Sequence, residues 1–334
     1  ENKLIPSEIK SLNDLKKLSV ISKQDLIQHN KDIQIELKQQ KFFKASTSGT
    51  TGESLNFLKD ESADSFNRAS MFRGYSWYKV NPWDKNGYFW GYNFSFYLVQ
   101  KTTYLHGYSS GIYNLAKFIN KKGKVKHPNL KMVKGTSEKI VESYQSEIKK
   151  AFGLKMISEY GAAETGIIAF ECLQGNMHIN MEGVLVEEIN NEIIVTNLQM
   201  KSFPIIRYRL GDYIKLAPKE KKCNCGMQHF ILEEVTGRIG KVVYGKTLKY
   251  PSLYFYYIFK NLTKKELFLT YQIIQNEKGQ LNFFIEQDLA KKHKKLLESE
   301  IQLYFNNDMD ITINSNIAIE KGDGKLKSFI SNIE

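Results

Sequence analysis

Residues 46–52 of the 334-residue chain read Ser46-Thr47-Ser48-Gly49-Thr50-Thr51-Gly52. Gly49 and Gly52 let the backbone approach an anion with no Cβ in the way, and Ser46, Thr47, Ser48, Thr50 and Thr51 supply hydroxyl donors to phosphate oxygens. The run is not of the Walker type, because Glu53, not Lys, follows Gly52. It suits polyphosphate, although by itself it also has the composition of a mobile loop. What decides between the two is the order of the segments that follow it.

The chain is longer than one modest core needs, so a large domain with a smaller appendage is expected. Its 42% hydrophobic and 13% aromatic content is that of a folded protein. No stretch reaches the roughly 18 unbroken apolar residues of a membrane span; the aromatic segment Tyr88 to Val99 is interrupted by Gly91, Asn93 and Ser95. The sequence opens Glu1-Asn2-Lys3 without an apolar leader, so a cytoplasmic location is the default expectation, and the native start is left open because residue 1 is not Met. The net charge is +12, but 43 of the 48 basic residues are Lys and they are scattered, the pattern of a solvated surface and not of a nucleic-acid stripe. Of the five Arg, Arg207, Arg209 and Arg238 fall within 32 residues, a grouping that points to an anion site.

Helical spacing in Ile9-Leu12-Leu15-Leu18 and Leu26-Ile33-Leu37 predicts two helices with Ser22 as a cap between them. Further helices are expected over 61–78, 110–121 and 136–152, the last capped by Thr136 or Ser137, with strands over 89–99, 103–108 and 131–134. From Val184 the pattern turns to short antiparallel strands, 184–189, 192–196, 205–209, 213–216 and 230–235, with a turn at Asn190-Asn191. After a break near Thr236-Gly237-Arg238, strands at 268–275, 281–287 and 311–319 surround a helix over 288–305. The expected fold class is α/β: a large N-terminal α/β domain over 1–236 with an antiparallel β subregion, and a small mobile α+β lid over 237–334.

Four segments follow the loop in fixed order: Tyr160-Gly161-Ala162-Ala163-Glu164, Tyr208-Arg209-Leu210-Gly211-Asp212, Thr236-Gly237-Arg238 and Gly322-Asp323-Gly324-Lys325. In this order and spacing the set resembles the adenylate-forming superfamily of acyl-CoA synthetases. Tyr104-Leu105-His106-Gly107-Tyr108-Ser109, Glu164-Thr165-Gly166, Cys172, His178-Ile179-Asn180 and Phe203-Pro204-Ile205-Ile206-Arg207 are similar to the branch holding phenylacetate-CoA ligase and the capsular-polysaccharide CapK-type proteins. The resemblance covers about residues 40–330. It implies that ATP converts a carboxylate to an acyl-adenylate with loss of pyrophosphate, and that the acyl group then passes to CoA, a carrier-protein phosphopantetheine or an amine.

By that resemblance, Thr47, Ser48, Gly49, Thr50, Thr51 and Gly52 hold the β- and γ-phosphates and Glu164 helps bind Mg²⁺. Tyr160 and Gly161 line the adenine pocket, Asp212 takes both ribose hydroxyls, Arg238 sits near ribose and phosphate, and Lys325 reaches in from the lid. Each residue also has a plainer reading: Glu164 as the cap of a following helix, Asp212 as a turn residue, Lys325 as a surface lysine. The aromatic stretch Tyr88 to Tyr97 is either acyl-pocket lining or core. Three departures from the family pattern stand out. Ser54 replaces a Pro after the loop, Gly240 replaces an acidic hinge residue, and the chain lacks about a hundred residues, largely before the loop.

All three cysteines lie in one part of the sequence, Cys172 and Cys223-Asn224-Cys225, with His178 six residues after the first. A Cys₃His set suits tetrahedral, structural Zn²⁺, since four protein ligands leave no open position. Incidental reduced thiols are the alternative. Two other functions compete with adenylation: a non-catalytic ligand-binding descendant of the fold, suggested by Ser54 and Gly240, and a basic zinc-containing nucleic-acid binder, suggested by the charge and the Cys/His set. The expectation adopted is ATP and a carboxylic acid as ligands, with no nucleic acid and no membrane span.

Overall fold

The computed structural model describes residues 6–38, 41–47, 54–89, 101–123, 129–138, 140, 142–238, 242–319 and 327–333. The chain opens with helices α1 (Leu12–Leu15), α2 (Lys23–Gln28) and α3 (Asn30–Ile33), strands β1 (Phe42–Ser46) and β2 (Asn56–Asp60), and helix α4 (Glu61–Ser76). Strands β3 (Asn86–Phe89) and β4 (Tyr104–Tyr108), helix α5 (Ser109–Lys122), strand β5 (Met132–Thr136) and helix α6 (Glu142–Phe152) come next. Seven strands follow: β6 (Met156–Ala162), β7 (Gly166–Glu171), β8 (Met177–Ile179), β9 (Val184–Ile189), β10 (Glu192–Asn197), β11 (Tyr208–Leu216) and β12 (Ile231–Arg238). The remainder holds β13 (Val242–Tyr244), β14 (Lys249–Pro251), α7 (Leu253–Lys264), β15 (Tyr271–Gln275), β16 (Gln280–Ile285), α8 (Lys291–Phe305), β17 (Asp310–Asn314) and β18 (Phe329–Ser331).

Contacts group the chain into two units, Glu1–Tyr78 with Glu159–Val235, and Lys79–Ser158 with Thr236–Glu334. In the first unit the strands run in the order β6-β7-β8-β12-β11-β10-β9. The pairings β6–β7, β7–β8, β8–β12, β10–β11 and β9–β10 are antiparallel. The β9–β10 hairpin turns through Asn190 and Asn191 at φ 53° and 63°, the left-handed pair that a tight hairpin demands. The main core of the unit has Leu26 from α2, Phe57 from β2, Ile168 from β7, Val195 from β10 and Phe203 and Tyr208 all buried. Phe57 and Phe203 stack at 5.0 Å between centroids.

Among the described residues, the second unit has two separate cores. The parallel strands β3-β4-β5 pack α5 and α6 around Leu105, Ile112, Val133 and Ile148. The sheet β17-β16-β15-β18 carries α7 and α8 over Ile258, Ile273, Phe283 and Leu297, the α+β content expected of the last hundred residues. The α/β expectation for the fold is thus borne out.

The elements depart from the sequence reading at several points. The opening helical pattern breaks into three short helices, with Ser22 and Asp25 forming a reciprocal capping box at the start of α2. The helix expected from 136 begins at Glu142, because Thr136 ends β5 and Ser137 lies at φ 65°, outside helical space. Strands expected at 205–209 and 213–216 are one strand, β11, bent at a bulge. The strand expected over 89–99 is described only to Phe89, and the aromatic stretch beyond it lies outside the described residues.

Asp60 fixes the entry to α4. Its buried carboxylate accepts from Ala63 N and Ser62 Oγ as the helix N-cap, and from Lys201 N and Ser202 N at 3.0 Å each. Burial alone raises its pKa, but the four hydrogen bonds outweigh it and hold the carboxyl well below the usual carboxylate range. Its contribution is therefore present above the unfolded-state pKa of about 4 and is lost as pH falls toward the lower folded value. Asp60→Ala should cost about 3 kcal/mol at pH 7, by losing a cap and leaving buried N–H groups unsatisfied. Urea denaturation checks this, and an unchanged midpoint would show the clamp contributes nothing.

Candidate active site and metal centre

The Ser/Thr/Gly run connects β1 to β2. These strands pair antiparallel from Phe42↔Asp60 to Ser46↔Asn56, and Thr47 closes the neck: its N–H donates to Leu55 O and its Oγ1 accepts from Leu55 N, both at 3.0 Å. Of the expected phosphate residues, Thr47 is placed here; Ser48, Gly49, Thr50, Thr51 and Gly52 lie outside the described residues. So do Gly240 and Lys325. Arg238 is the last residue of β12.

The next two motifs lie where backbone geometry needs glycine. A Cβ on Gly161 would stand 2.4 Å from the carbonyl oxygen of Gly166 across the β6–β7 hairpin, so only glycine permits that pairing. Gly211 has φ 85° at the β11 bulge, where the register against β10 shifts between Glu192 and Ile194. Glu164 sits on the turn between β6 and β7, and Asp212 directly follows the bulge. A strand, not a helix, follows Glu164, which removes the helix-cap reading.

Two hydroxyl–carboxylate bonds bring these motifs together. Tyr160 OH donates to Asp212 Oδ2 at 2.8 Å, and Tyr208 OH donates to Glu164 Oε1 at 3.1 Å. Glu164 is 6% exposed, and among the described residues Tyr208 is its sole hydrogen-bond partner. A buried carboxylate whose direct partner is neutral has the donor chemistry that a divalent cation satisfies, so the expected Mg²⁺ role fits this residue. The sequence reading missed Tyr208 as a partner of Glu164, although it opens one of the quoted motifs.

Two of the three grouped arginines are engaged within the protein. Arg207, itself at φ 50°, makes a two-pronged pair with Glu187 at 3.0 and 3.1 Å and donates to the carbonyls of Lys16 and Leu18. Arg209 pairs with Glu192 at 3.0 Å. Both guanidiniums thus bind the protein's own carboxylates, and Arg207 ties the N-terminal segment to β9.

The Cys/His residues do converge. Cys172 follows β7, His178 lies on β8, and Cys223 and Cys225 lie on the β11–β12 connection; their ligand atoms are all within 4.8 Å of one another. Cys172 and Cys223 sulfurs are 3.7 Å apart and Cys225 Sγ is 3.2 Å from His178 Nε2. For comparison, tetrahedral metal–sulfur bonds of about 2.3 Å give a sulfur–sulfur edge of about 3.8 Å. His178 Nδ1 lies 3.3 Å from His229 O, a contact that fixes the ring and turns Nε2 to the cluster. Asn176 Nδ2 donates to Cys223 Sγ at 3.2 Å. Burial pushes the Cys172 thiol up to about 11. At Cys223 burial also acts upward, but hydrogen bonds from Cys225, His178 and Asn176 prevail and lower it to about 6. The four atoms form a metal-competent set with no protein-side vacancy.

No family model matches the chain. Indoleacetate–lysine synthetase of Pseudomonas savastanoi is 31% identical over 103 residues, 29% of this chain and 26% of that protein. Protein CapK of Staphylococcus aureus is 23% identical over 266 residues, 67% of this chain and 59% of that one. The chain therefore spans less than two thirds of either curated relative. Among solved structures, 2-hydroxyisobutyryl-CoA ligase in its postadenylation state with R3-HIB-AMP superposes over 98% of this chain and 83% of its own, with TM-score 0.77 and 15% identity. The same ligase in an open conformation with 2-HIB-AMP and CoA gives TM-score 0.64. The chain thus has the fold of the adenylate-forming ligases, and the resemblance drawn from the motifs is borne out at that level.

Proposed function

We propose that this protein is an ATP- and Mg²⁺-dependent ligase that activates a carboxylic acid as its acyl-adenylate and passes the acyl group to a thiol or an amine. The observation that carries the reading is the pair of contacts Tyr160–Asp212 and Tyr208–Glu164, on a fold shared with an adenylate-bound ligase. In the first half-reaction a carboxylate oxygen of the acid attacks the α-phosphorus, and the bond to the β-phosphate oxygen breaks as pyrophosphate leaves. In the second, a thiol sulfur or amine nitrogen attacks the acyl carbon, loses its proton, and AMP departs. Both steps depend on positioning and on neutralising developing charge.

Asp212, oriented by Tyr160, is assigned to the ribose hydroxyls, with Tyr160 and Gly161 beside the adenine. The Thr47–Gly52 loop takes the β- and γ-phosphates, and Arg238 lies near ribose and phosphate. Glu164 would hold Mg²⁺, which supplies charge neutralisation at the phosphates. Residues 237–334 are assigned as the lid and Lys325 as its cation at the reacting centre. A thiol acceptor, CoA or a carrier phosphopantetheine, is supported by the likeness to a CoA ligase solved with CoA. The amine alternative rests on the 31% identity to a synthetase that joins indoleacetate to lysine. A phenylacetate-CoA ligase-like subtype and a role in surface polysaccharide modification are carried over from the motif resemblance and the relation to CapK, and a cytoplasmic location is proposed with them.

Asp212→Ala should weaken ATP binding by roughly 1.5 to 3 kcal/mol for each charge-assisted hydrogen bond lost. Calorimetry on both proteins decides: equal affinities would remove Asp212 from the site, and no binding by either would sink the adenylation reading.

The Cys172, His178, Cys223 and Cys225 set is assigned to one structural Zn²⁺ that ties the β7–β8 hairpin to the β11–β12 connection. Elemental analysis of protein purified without an affinity metal should find about one equivalent, and Cys223→Ser should lower the melting temperature more than the adenylation rate. Less than about a tenth of an equivalent, with three titratable thiols, would leave incidental cysteines.

Lys325→Ala should slow adenylation by about a hundredfold, the scale of deleting one preorganised donor, with ATP affinity nearly intact and acyl transfer from a preformed adenylate preserved. Single-turnover assays of each half-reaction test this. Adenylation at the wild-type rate would make Lys325 a surface lysine.

A further inference from the structure

Beside Glu164 lies a recess lined also by Lys59, Asn67, Thr165, Asn197 and Gln199. Most of its polar lining is already engaged: Asn197 caps the 197–200 turn and donates to Thr165 O, and Gln199 donates to Glu182 O. Lys59 is different. It stands on β2, one residue before Asp60, with its ammonium 5.9 Å from the Phe57 ring centroid. Among the described residues, no oxygen acceptor lies within hydrogen-bond or ion-pair distance of it. Two carboxylates act on it from farther away, Asp64, which Arg68 already pairs at 2.7 Å, and Glu164. Burial lowers the Lys59 pKa and these carboxylates only partly oppose it, so its charge is undercompensated. Asn67, whose Oδ1 accepts from Ile167 N at 2.9 Å, keeps its amide hydrogens without a described acceptor.

An ammonium and a carboxylate thus share one opening without touching, each short of a direct counter-charge. A single kind of ligand satisfies both at once: a metal-bound phosphate, whose cation meets Glu164 and whose oxygens meet the ammonium. In sequence, the Ser46–Gly52 run carries no cationic side chain, and the residue after it is acidic Glu53. Lys59 lies on the strand that leaves that run, anchored by the Asp60 clamp. We propose that Lys59 is a phosphate-binding residue of this site, donating to the pyrophosphoryl oxygens of ATP and to the pyrophosphate that leaves. The inference rests on the adenylation reading and adds a residue that none of the sequence motifs contains.

The test is calorimetric titration of inorganic pyrophosphate, with Mg²⁺ present, into wild type, Lys59→Met, Lys59→Arg and Lys44→Met, the last an exposed lysine on β1. Lys59→Met should weaken pyrophosphate binding at least tenfold, Lys59→Arg should restore most of it, and Lys44→Met should bind as wild type does. Melting temperatures are read on all four proteins. Equal affinity in wild type and Lys59→Met overturns the assignment of Lys59 and leaves adenylation standing. The same loss in Lys44→Met, or in Lys59→Arg together with a lowered melting temperature, also overturns it, as general charge or a structural role. Wild-type protein that binds neither pyrophosphate nor ATP overturns the adenylation reading itself.

Discussion

The curl of one sheet is the constraint on which the candidate site depends. In the strand order, β6 and β11 are separated by β7, β8 and β12. At about 4.8 Å per step a flat sheet would hold them about 19 Å apart, far beyond the reach of a tyrosine. Yet Tyr160 on β6 touches Asp212 on β11 at 2.8 Å, and Tyr208 on β11 touches Glu164 at the end of β6 at 3.1 Å. The sheet is therefore strongly coiled, and the two hydroxyl–carboxylate bonds close it across the gap. Twist makes such coiling available to any sheet, and bulges concentrate it. Both motif strands carry a register shift where the motifs sit, between Tyr160 and Gly161 and opposite Glu192 to Ile194.

Buried carboxylates in this unit fall into two kinds. Asp60 is fully committed, with four donors from within the protein, and its charge serves to lock α4 against residues 201 and 202. Glu164 is as buried in effect, but it has one neutral partner and a lysine across an opening. The first arrangement is that of structure; the second leaves electrostatic work for a ligand to complete. The Cys/His cluster is a third arrangement, four ligand atoms within 4.8 Å of one another. Its residues come from a hairpin and a long connection, far along the sequence from the Ser/Thr/Gly run.

Much of this was legible in the amino acids alone. The order of short motifs, the Ser/Thr/Gly run, the Ser22 cap, the Asn190-Asn191 turn and the Cys₃His set are all local patterns. Local patterns follow from residue type: glycine where a Cβ would collide or φ is positive, asparagine at a tight turn, thiols and imidazole where a soft metal binds. The switch from mixed helix and strand to short antiparallel strands was visible for the same reason, because side-chain periodicity is set by the backbone conformation itself.

What the tertiary structure alone decided was which distant side chains meet. Arg207 and Arg209 looked available for an anion until strand pairing set Glu187 and Glu192 against them. The plainer alternative for Glu164, a helix cap, fell away once the next residues proved to be a strand, and Ser137 stopped a helix that the sequence pattern had started too early. Lys59 carried no signal in the sequence, since a lysine between Leu58 and Asp60 is ordinary on a strand. Its partner across the recess is 105 positions away, counted from 59 to 164. Sequence sets the chemistry each residue brings and the local bends of the backbone; strand order and sheet curvature set the distances between residues far apart in the chain, and electrostatic complementarity depends on those distances.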